Sequence, residues 1–424
     1  MRIVRITKED APLLEKFLSN AGNSLNSFRY FSKRSTKILD QHKITLLIIN
    51  ENEIPVAYGH LDCENEIIWL GNCVIEIEKG KGWGQLMMRS LLNFARDKKI
   101  NNIRLSVDNS NSGAIKLYQK FGFQLLERKG QFSFYEWKLE ENPEILISSL
   151  AFAGMTTDEI IKKAEEENIC LEFSSGMPYR DDMENLFLRC SAIKYAHNYF
   201  PAPREPFVLN LASSNEIIRR KSIEHCINGI LLSYRSGARF FSAHAGFCID
   251  PSPAELGNPL NRKKINDRNE NWNLFLASLK EIFASTFWTN TSFLIENNVL
   301  AKMNLYEDGT NPLFCCDPDE INRLINEMNE PRLGILLDTG HLKVSANTLG
   351  FDLSNSMAKI ENCIRGLHHS DNNGEFDTND NFNENYWFLP YMKKFRHLTH
   401  VIEVKKINLD AVRKSIFLLK NSAS

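Results

Sequence analysis

Residues 334–343 read Gly-Ile-Leu-Leu-Asp-Thr-Gly-His-Leu-Lys, GILLDTGHLK. A short apolar run, Ile335-Leu336-Leu337, stops at Asp338, and His341 follows three residues on. Runs this short and apolar throughout are the pattern of strands buried on both faces. A carboxylate and an imidazole at the end of such a strand are costly to desolvate unless they meet a hydrogen-bond network, a metal or a substrate. The fold therefore turns on whether other strands deliver matching groups to the same place.

From Ile145 onward, short apolar runs alternate with helical patterns. The runs are 145–151, 169–173, 193–196, 239–243, 292–295, 334–337, 364–367 and 399–402. Helical spacing occupies 157–167, 183–191, 216–236, 269–285, 318–329, 351–359 and 408–420. Eight strand–helix units predict a (β/α)8 barrel, a TIM barrel, over residues 145–424, with an open doubly wound sheet as the alternative. In a barrel the C-terminal strand ends share one mouth. Glu172 lies near the end of the second strand. His197 follows the third, His244 the fourth and Glu296 the fifth. Asp338 and His341 follow the sixth, His368 and His369 the seventh with Asp377 beyond, and Glu403 ends the eighth. Singly, each reads as a hydrogen-bonded core or loop residue. Together they predict a divalent metal, and mixed nitrogen and oxygen donors suit Mn, Co, Fe, Zn or Mg.

These passages resemble the xylose-isomerase-like barrel superfamily, which includes sugar epimerases and isomerases and the endonuclease IV group. The resemblance is carried by Ala243-His244-Ala245-Gly246, Leu294-Ile295-Glu296-Asn297, Leu337-Asp338-Thr339-Gly340-His341, His368-His369-Ser370-Asp371-Asn372 and Val401-Ile402-Glu403, with PFVLNLASSN at 206–215 resembling the endonuclease-like members. By analogy with the ketose epimerases, Glu296, Asp338, His368 and Glu403 would hold one metal. Glu296 and Glu403 would exchange a proton with the carbon beside the substrate carbonyl, and His341 would touch a substrate oxygen. In the endonuclease group three zincs use further ligands, and His197, His244, His341 and Asp377 match those positions. The third zinc there uses Asp-x-His, whereas this chain has Asp377-Thr378-Asn379. The resemblance, less that ligand, favours one metal, with His197 and His244 lining a sugar pocket.

The first 140 residues read differently. Strands are expected at 1–7, 44–49, 54–61, 67–78, 103–107, 123–128 and 132–139, and helices at 9–22, 85–98 and 111–121. The passage Lys79-Gly80-Lys81-Gly82-Trp83-Gly84 joins a strand to a helix. Glycines there let the backbone turn tightly and aim its N–H groups, with the helix N-terminus, at a phosphate. No Gly-Lys-Ser/Thr follows, so it is not a Walker loop. The unit resembles the GNAT acetyltransferase family, whose loop has the form Gln/Arg-x-x-Gly-x-Gly/Ala, here with Lys79 in first place. A second family pattern is complete as Asn111, Ala114, Tyr118, Gly122 and Phe123. The resemblance implies acetyl-CoA, with its pyrophosphate on the amides of Lys79, Gly80, Lys81, Gly82, Trp83 and Gly84 and its pantetheine arm paired to Val74 and Ile75. It also implies a cofactor contact from Asn111 and protonation of the departing thiolate by Tyr118. The general base stays open among Glu76 and Glu78 on the strand, and Asn72 or His60 through a water.

Glu140-Glu141-Asn142-Pro143 reads as a short linker, which divides the chain into an acetyltransferase domain, 1–141, and the barrel. Of 424 residues, 43% are hydrophobic and 25% charged, with a formal net charge of −2, so no nucleic-acid or membrane partner is expected. The nine Cys are scattered without a CxxC pair, the pattern of buried thiols in a reducing cytosol. MRIVRITKED has no apolar signal core, and a cytoplasmic protein follows as the expectation. The expected function is a bifunctional enzyme. One half would acetylate an amino sugar or similar small amine, and the other would isomerise or epimerise a carbohydrate for a surface glycan. The alternative is an endonuclease IV-like metal phosphoesterase with an acetyltransferase appendage. Homo-oligomerisation is left open.

Overall fold

A computed structural model of the chain describes residues 1–32, 34–255, 258 and 266–423. They form two units, 1–143 and 144–423.

The first unit is built on a seven-stranded sheet: β1 (Arg2–Arg5), β2 (Ile44–Ile49), β3 (Pro55–Glu64), β4 (Ile67–Val74), β5 (Asn102–Asp108), β6 (Gln124–Lys129) and β7 (Phe132–Lys138). Their order is β1-β2-β3-β4-β5-β7-β6. β2 is buried throughout and apolar but for Thr45, and the helix Trp83–Asp97 lays Met87 and Leu91 against β3. That packing requires Gly59, because a Cβ there would fall 2.5 Å from Met87 Sδ. β4 and β5 run parallel but pair only at Trp69 with Arg104, so the two strands diverge beyond that rung and open a cleft. The strand expected over 67–78 ends at Val74. Ile75 N still bonds Val56 O of β3 at 3.0 Å, but Glu76 N turns away to Ala21 O at 3.3 Å, and the chain enters a 3-10 turn, Glu76–Glu78.

The second unit is a (β/α)8 barrel. Its strands are β8 (Glu144–Ser148), β9 (Cys170–Phe173), β10 (Lys194–Ala196), β11 (Phe240–His244), β12 (Ser292–Glu296), β13 (Leu333–Asp338), β14 (Ile364–His369) and β15 (Thr399–Ile402). All are parallel, in the order β10-β9-β8-β15-β14-β13-β12-β11. The ring closes between β10 and β11 through one bridge, His197 with Ser242, and the bond from Asn198 N to Ser242 O at 2.7 Å. Leu146, Tyr195, Phe240, Leu294, Leu336 and Val401 fill the interior. Beneath them Glu144 accepts from Tyr195 Oη at 2.8 Å and Thr399 Oγ1 at 2.7 Å.

Besides the single turns Ser24–Ser27 and Met392–Phe395, one longer helix lies outside the expected ranges. Thr339–Leu349 follows β13 directly, with Asp338 as its N-cap and Gly350, at φ +76°, as its stop. No helix among the described residues is long and apolar enough to cross a membrane.

Candidate active sites

At the barrel mouth, β12, β13, β14 and the chain after β15 bring Glu296, Asp338, His368 and Glu403 together. One ligand atom from each lies within 4.8 Å of the others. Each stands at or just past a strand's C-terminal end, and each is buried. His368 Nδ1 is 2.9 Å from Glu403 Oε2 and 3.2 Å from Glu296 Oε1. Both oxygens of Glu296 and Oδ2 of Asp338 are buried without a hydrogen-bond partner. Leaving such atoms unmatched is costly, and a hard or borderline divalent cation accepts this set of three carboxylates and one imidazole. The residues fit a metal.

Asp338 is held by its neighbours on both sides. Its Oδ1 accepts from His341 N at 2.7 Å, which caps the helix Thr339–Leu349. The Asn297 side chain grips its backbone, accepting from Asp338 N at 2.8 Å and donating to Asp338 O at 3.1 Å. Asp338 therefore presents Oδ2 with no freedom to turn away.

His197, His244 and His341 surround this group. His197 Nε2 and His244 Nδ1 each lie 3.3 Å from Glu296 Oε2, so Glu296 is shared with a second cluster, His197, His244 and Glu296. His197 Nδ1 is backed by Ser242 Oγ at 2.9 Å. His341 donates from Nδ1 to Asn297 O at 2.9 Å and turns Nε2 toward Asp377 Oδ2 at 3.3 Å. Asn379 Nδ2 lies 3.5 Å from Asp377 Oδ1, where a histidine would have offered a further ligand. His369, grouped with His368 in the sequence, does not reach the mouth. Successive strand residues face opposite ways, and His369 points outward into a buried chain. Its Nδ1 meets Tyr386 Oη at 3.0 Å, its Nε2 meets His400 Nδ1 at 2.9 Å, and His400 Nε2 donates to Phe395 O at 3.1 Å.

Burial and mutual charge set the protonation of the mouth. Burial alone would deprotonate His368, yet Glu172, Glu403 and Glu296 hold it well above the usual imidazole range. Burial disfavours ionisation of Glu403, and the His368 imidazolium outweighs it, holding that carboxyl down to about 2. For Asp338 burial wins, pushing it up to about 7 against the pull of His341. Burial lowers His244, which leaves it neutral.

In the first unit, the end of β4, the loop after it and the helix Ser112–Lys120 enclose a cavity of ≈ 420 Å³. Val74, Lys79, Gly80, Gly82, Trp83, Gly84, Asn111 and Tyr118 line it, whereas Ile75 and Lys81 are not among its lining residues. Ile75 is buried in the core, and Lys81 is paired with Glu78 at 2.8 Å. Gly80 and Gly82 take φ of +81° and +87°, a conformation costly for residues with a Cβ, and Gly82 is the N-cap of the helix Trp83–Asp97. Asn111 caps the helix Ser112–Lys120, accepting from Ala114 N at 3.2 Å. Tyr118 is raised to about 12 by burial and keeps its proton at neutral pH.

The general-base candidates are redistributed. Glu76 and Glu78 lie on the 3-10 turn rather than a strand. Glu76 accepts from Asn23 N at 3.1 Å and Nδ2 at 3.0 Å, and Glu78 accepts from Trp83 Nε1 at 2.8 Å. His60 is buried against Tyr30, with ring centroids 4.1 Å apart, and is absent from the cavity lining. Asn72 lines the cavity, donates to Gly84 O at 3.0 Å and has a buried Oδ1 without a partner.

The model of the xylose isomerase-like TIM-barrel family matches residues 119–406. That of the GNAT acetyltransferase family matches residues 13–123. "Probable endonuclease 4" of Aquifex aeolicus (strain VF5) is 24% identical over 233 residues, 50% of this chain and 73% of that protein. "Spermine/spermidine N(1)-acetyltransferase" of Bacillus subtilis (strain 168) is 42% identical over 65 residues, 15% of this chain and 43% of that protein, so the match spans less than half of the relative. The crystal structure of a D-tagatose 3-epimerase-like protein covers 66% of this chain and 96% of its own, with 21% identity and a TM-score of 0.51, a likeness of fold alone.

Proposed function

Because the chain belongs to the xylose isomerase-like TIM-barrel family and carries a GNAT acetyltransferase domain, we infer that it is a bifunctional enzyme: an acetyl-CoA-dependent N-acetyltransferase joined to a divalent-metal-dependent sugar isomerase or epimerase. The convergence of Glu296, Asp338, His368 and Glu403 on one buried spot carries the barrel half of this reading.

When bound there, the metal supplies a Lewis acid that polarises the substrate carbonyl and neighbouring hydroxyl. The chain's own groups move the proton. Glu403, ionised at neutral pH, is suited to take a proton from the carbon beside the carbonyl, and Glu296 to exchange one from the other side. His341, fixed by Asn297, and the neutral His244 hold substrate oxygens. The test is solvent exchange. Candidate ketoses in D2O with metal-loaded enzyme should gain deuterium at that carbon, and Glu403→Gln should abolish it. Full exchange by Glu403→Gln would sink this reading.

In the acetyltransferase half, the amides following Gly80 and the helix N-terminus at Trp83 cradle the pyrophosphate. As the acceptor amine bonded to the acetyl carbon and the thioester C–S bond broke, the Tyr118 hydroxyl would give its proton to the departing thiolate. Asn72 Oδ1, buried and without a partner, would hold a water through which the amine proton leaves. An amino sugar destined for a surface glycan is the acceptor that would use both halves. Acetyl-CoA-dependent thiol release with amino sugars supports it, and release with peptide amines alone refutes it.

A second reading is favoured by one observation: Glu296 belongs to two of the carboxylate–histidine clusters at the mouth, so it could serve two metals. Such a pair suits a phosphoesterase, and cleavage of an abasic DNA duplex with more than one metal per chain would establish it.

A further inference from the structure

Glu172 has no part in the chemistry above, yet it is fully buried at the same mouth. It stands in β9, which is separated from β14 in the ring by β8 and β15. Its side chain therefore reaches across the barrel rather than to a sheet neighbour. Glu172 Oε2 lies 2.9 Å from His368 Nε2, and its Oε1 is buried without a hydrogen-bond partner. The other ring nitrogen of His368, Nδ1, faces Glu403 and Glu296. An ionised carboxylate only accepts hydrogen bonds, and both ring nitrogens face one at 2.9 Å, Nε2 that of Glu172 and Nδ1 that of Glu403. Only Nδ1 also faces Glu296 and Asp338, so it is the nitrogen that would exchange its proton for a cation, while Nε2 keeps the proton it gives to Glu172. A glutamate held in a barrel interior with one oxygen spare is there for its charge and its reach, since an apolar side chain would fill the space at lower cost.

We propose that Glu172 is a positioning residue for the metal centre: it holds His368 in the Nε2–H form and aims Nδ1 at the spot shared by Glu296, Asp338 and Glu403. This rests on the reading that those four residues bind a divalent metal. A carboxylate behind a ligating histidine fixes ring orientation and raises ligand basicity. The competing role is also visible in the geometry. Glu172, His197 and His368 themselves form a cluster within 4.8 Å, so Glu172 could instead be a ligand to another ion through the Nε2 side.

The experiment uses the full chain stripped of metal and titrated with Co(II), reading affinity, ions bound per chain and the visible absorption band. Glu172→Gln should bind the wild-type number of ions about 10- to 100-fold more weakly, with a shifted band, and Glu172→Leu more weakly still. Unchanged affinity and band in Glu172→Gln would overturn the inference alone. So would the loss of one ion per chain, which would make Glu172 a ligand. A wild-type chain that binds no ion would remove the metal reading and this inference with it. A measurement without any variant stands beside these. In 15N-histidine-labelled wild type loaded with 113Cd, coupling should run to His368 Nδ1 with the proton on Nε2. Coupling to Nε2 would refute the assignment.

Discussion

Asp338 divides its work between its two oxygens, and Asp338→Asn separates them. Oδ1 caps a helix through His341 N at 2.7 Å, while Oδ2 is buried, unpartnered and 3.8 Å from His368 Nδ1. Asparagine keeps the capping oxygen and replaces the other by an amide nitrogen, which cannot ligate a cation. Alanine removes both. A lost N-cap costs about 1 kcal/mol, or roughly 2–4 °C in a domain of this size. A metal present at about 100 times its Kd stabilises by about 2.7 kcal/mol, or roughly 5–10 °C. Burial already pushes the Asp338 carboxyl from 3.8 up to about 7, so without a metal it removes stability as pH rises through that window, and the full cost is present at pH 8. Thermal melts at pH 8, in EDTA and in excess Mn or Zn, should therefore give three patterns. Wild type gains the full metal shift. Asp338→Asn melts in EDTA at or above the wild-type temperature and gains almost nothing from metal. Asp338→Ala melts lower in EDTA and also gains nothing. If Asp338→Asn kept the full metal shift, Oδ2 would not be a ligand. If it fell as far as alanine in EDTA, the cap would not be the work of Oδ1.

Four further outcomes are expected. Asn297→Ala removes two hydrogen bonds to the Asp338 backbone and should cost about 1–3 kcal/mol in urea unfolding; a loss within error would mean the strand end is held by other contacts. Tyr118→Phe should lower acetyl transfer by about 100-fold with KM for acetyl-CoA little changed, and an equal rise in KM would instead point to binding. His400 is neutral in the fold, lowered from 6.5 to about 4 by burial. Its proton uptake on unfolding should remove stability as pH falls from 6.5 to about 4, by about 3 kcal/mol at most, and a difference in urea midpoint between wild type and His400→Gln, in EDTA, that is flat across that window would contradict it. Gly59→Ala should destabilise the first unit by roughly 1–3 kcal/mol, because its Cβ would meet Met87 Sδ; an unchanged melt would show that Met87 swings aside freely.

The barrel strands were legible because each is a short run of apolar residues with punctuation on both sides, and the mouth residues because they stand where those runs stop. What was lost depends on partners distant in sequence. His369 looked equivalent to His368, and only strand alternation sends it outward to Tyr386 and His400. Glu76 and Glu78 continue an apolar-alternating run, and the end of that strand is decided by Ala21, distant in sequence, whose carbonyl takes the Glu76 N–H. The helix Thr339–Leu349 has a local signature, a capping Asp and a stopping Gly350, but the same Asp338 also marks the end of a buried strand, and the two readings compete. The reach of Glu172 across the barrel has no local signal at all.

The single bridge between β10 and β11 has a mechanical consequence. A ring of strands is as stiff as its weakest joint, and this joint is made by His197 itself. One side of the joint carries His197, and the other carries His244 at the end of β11. Whatever both imidazoles grasp becomes an extra rung across the gap, a keystone inserted from above. Occupancy should then slow hydrogen exchange at the Asn198 amide, which spans the joint to Ser242 O, more than at amides in the middle of β13. In such a barrel, breathing and binding are governed by the same few atoms.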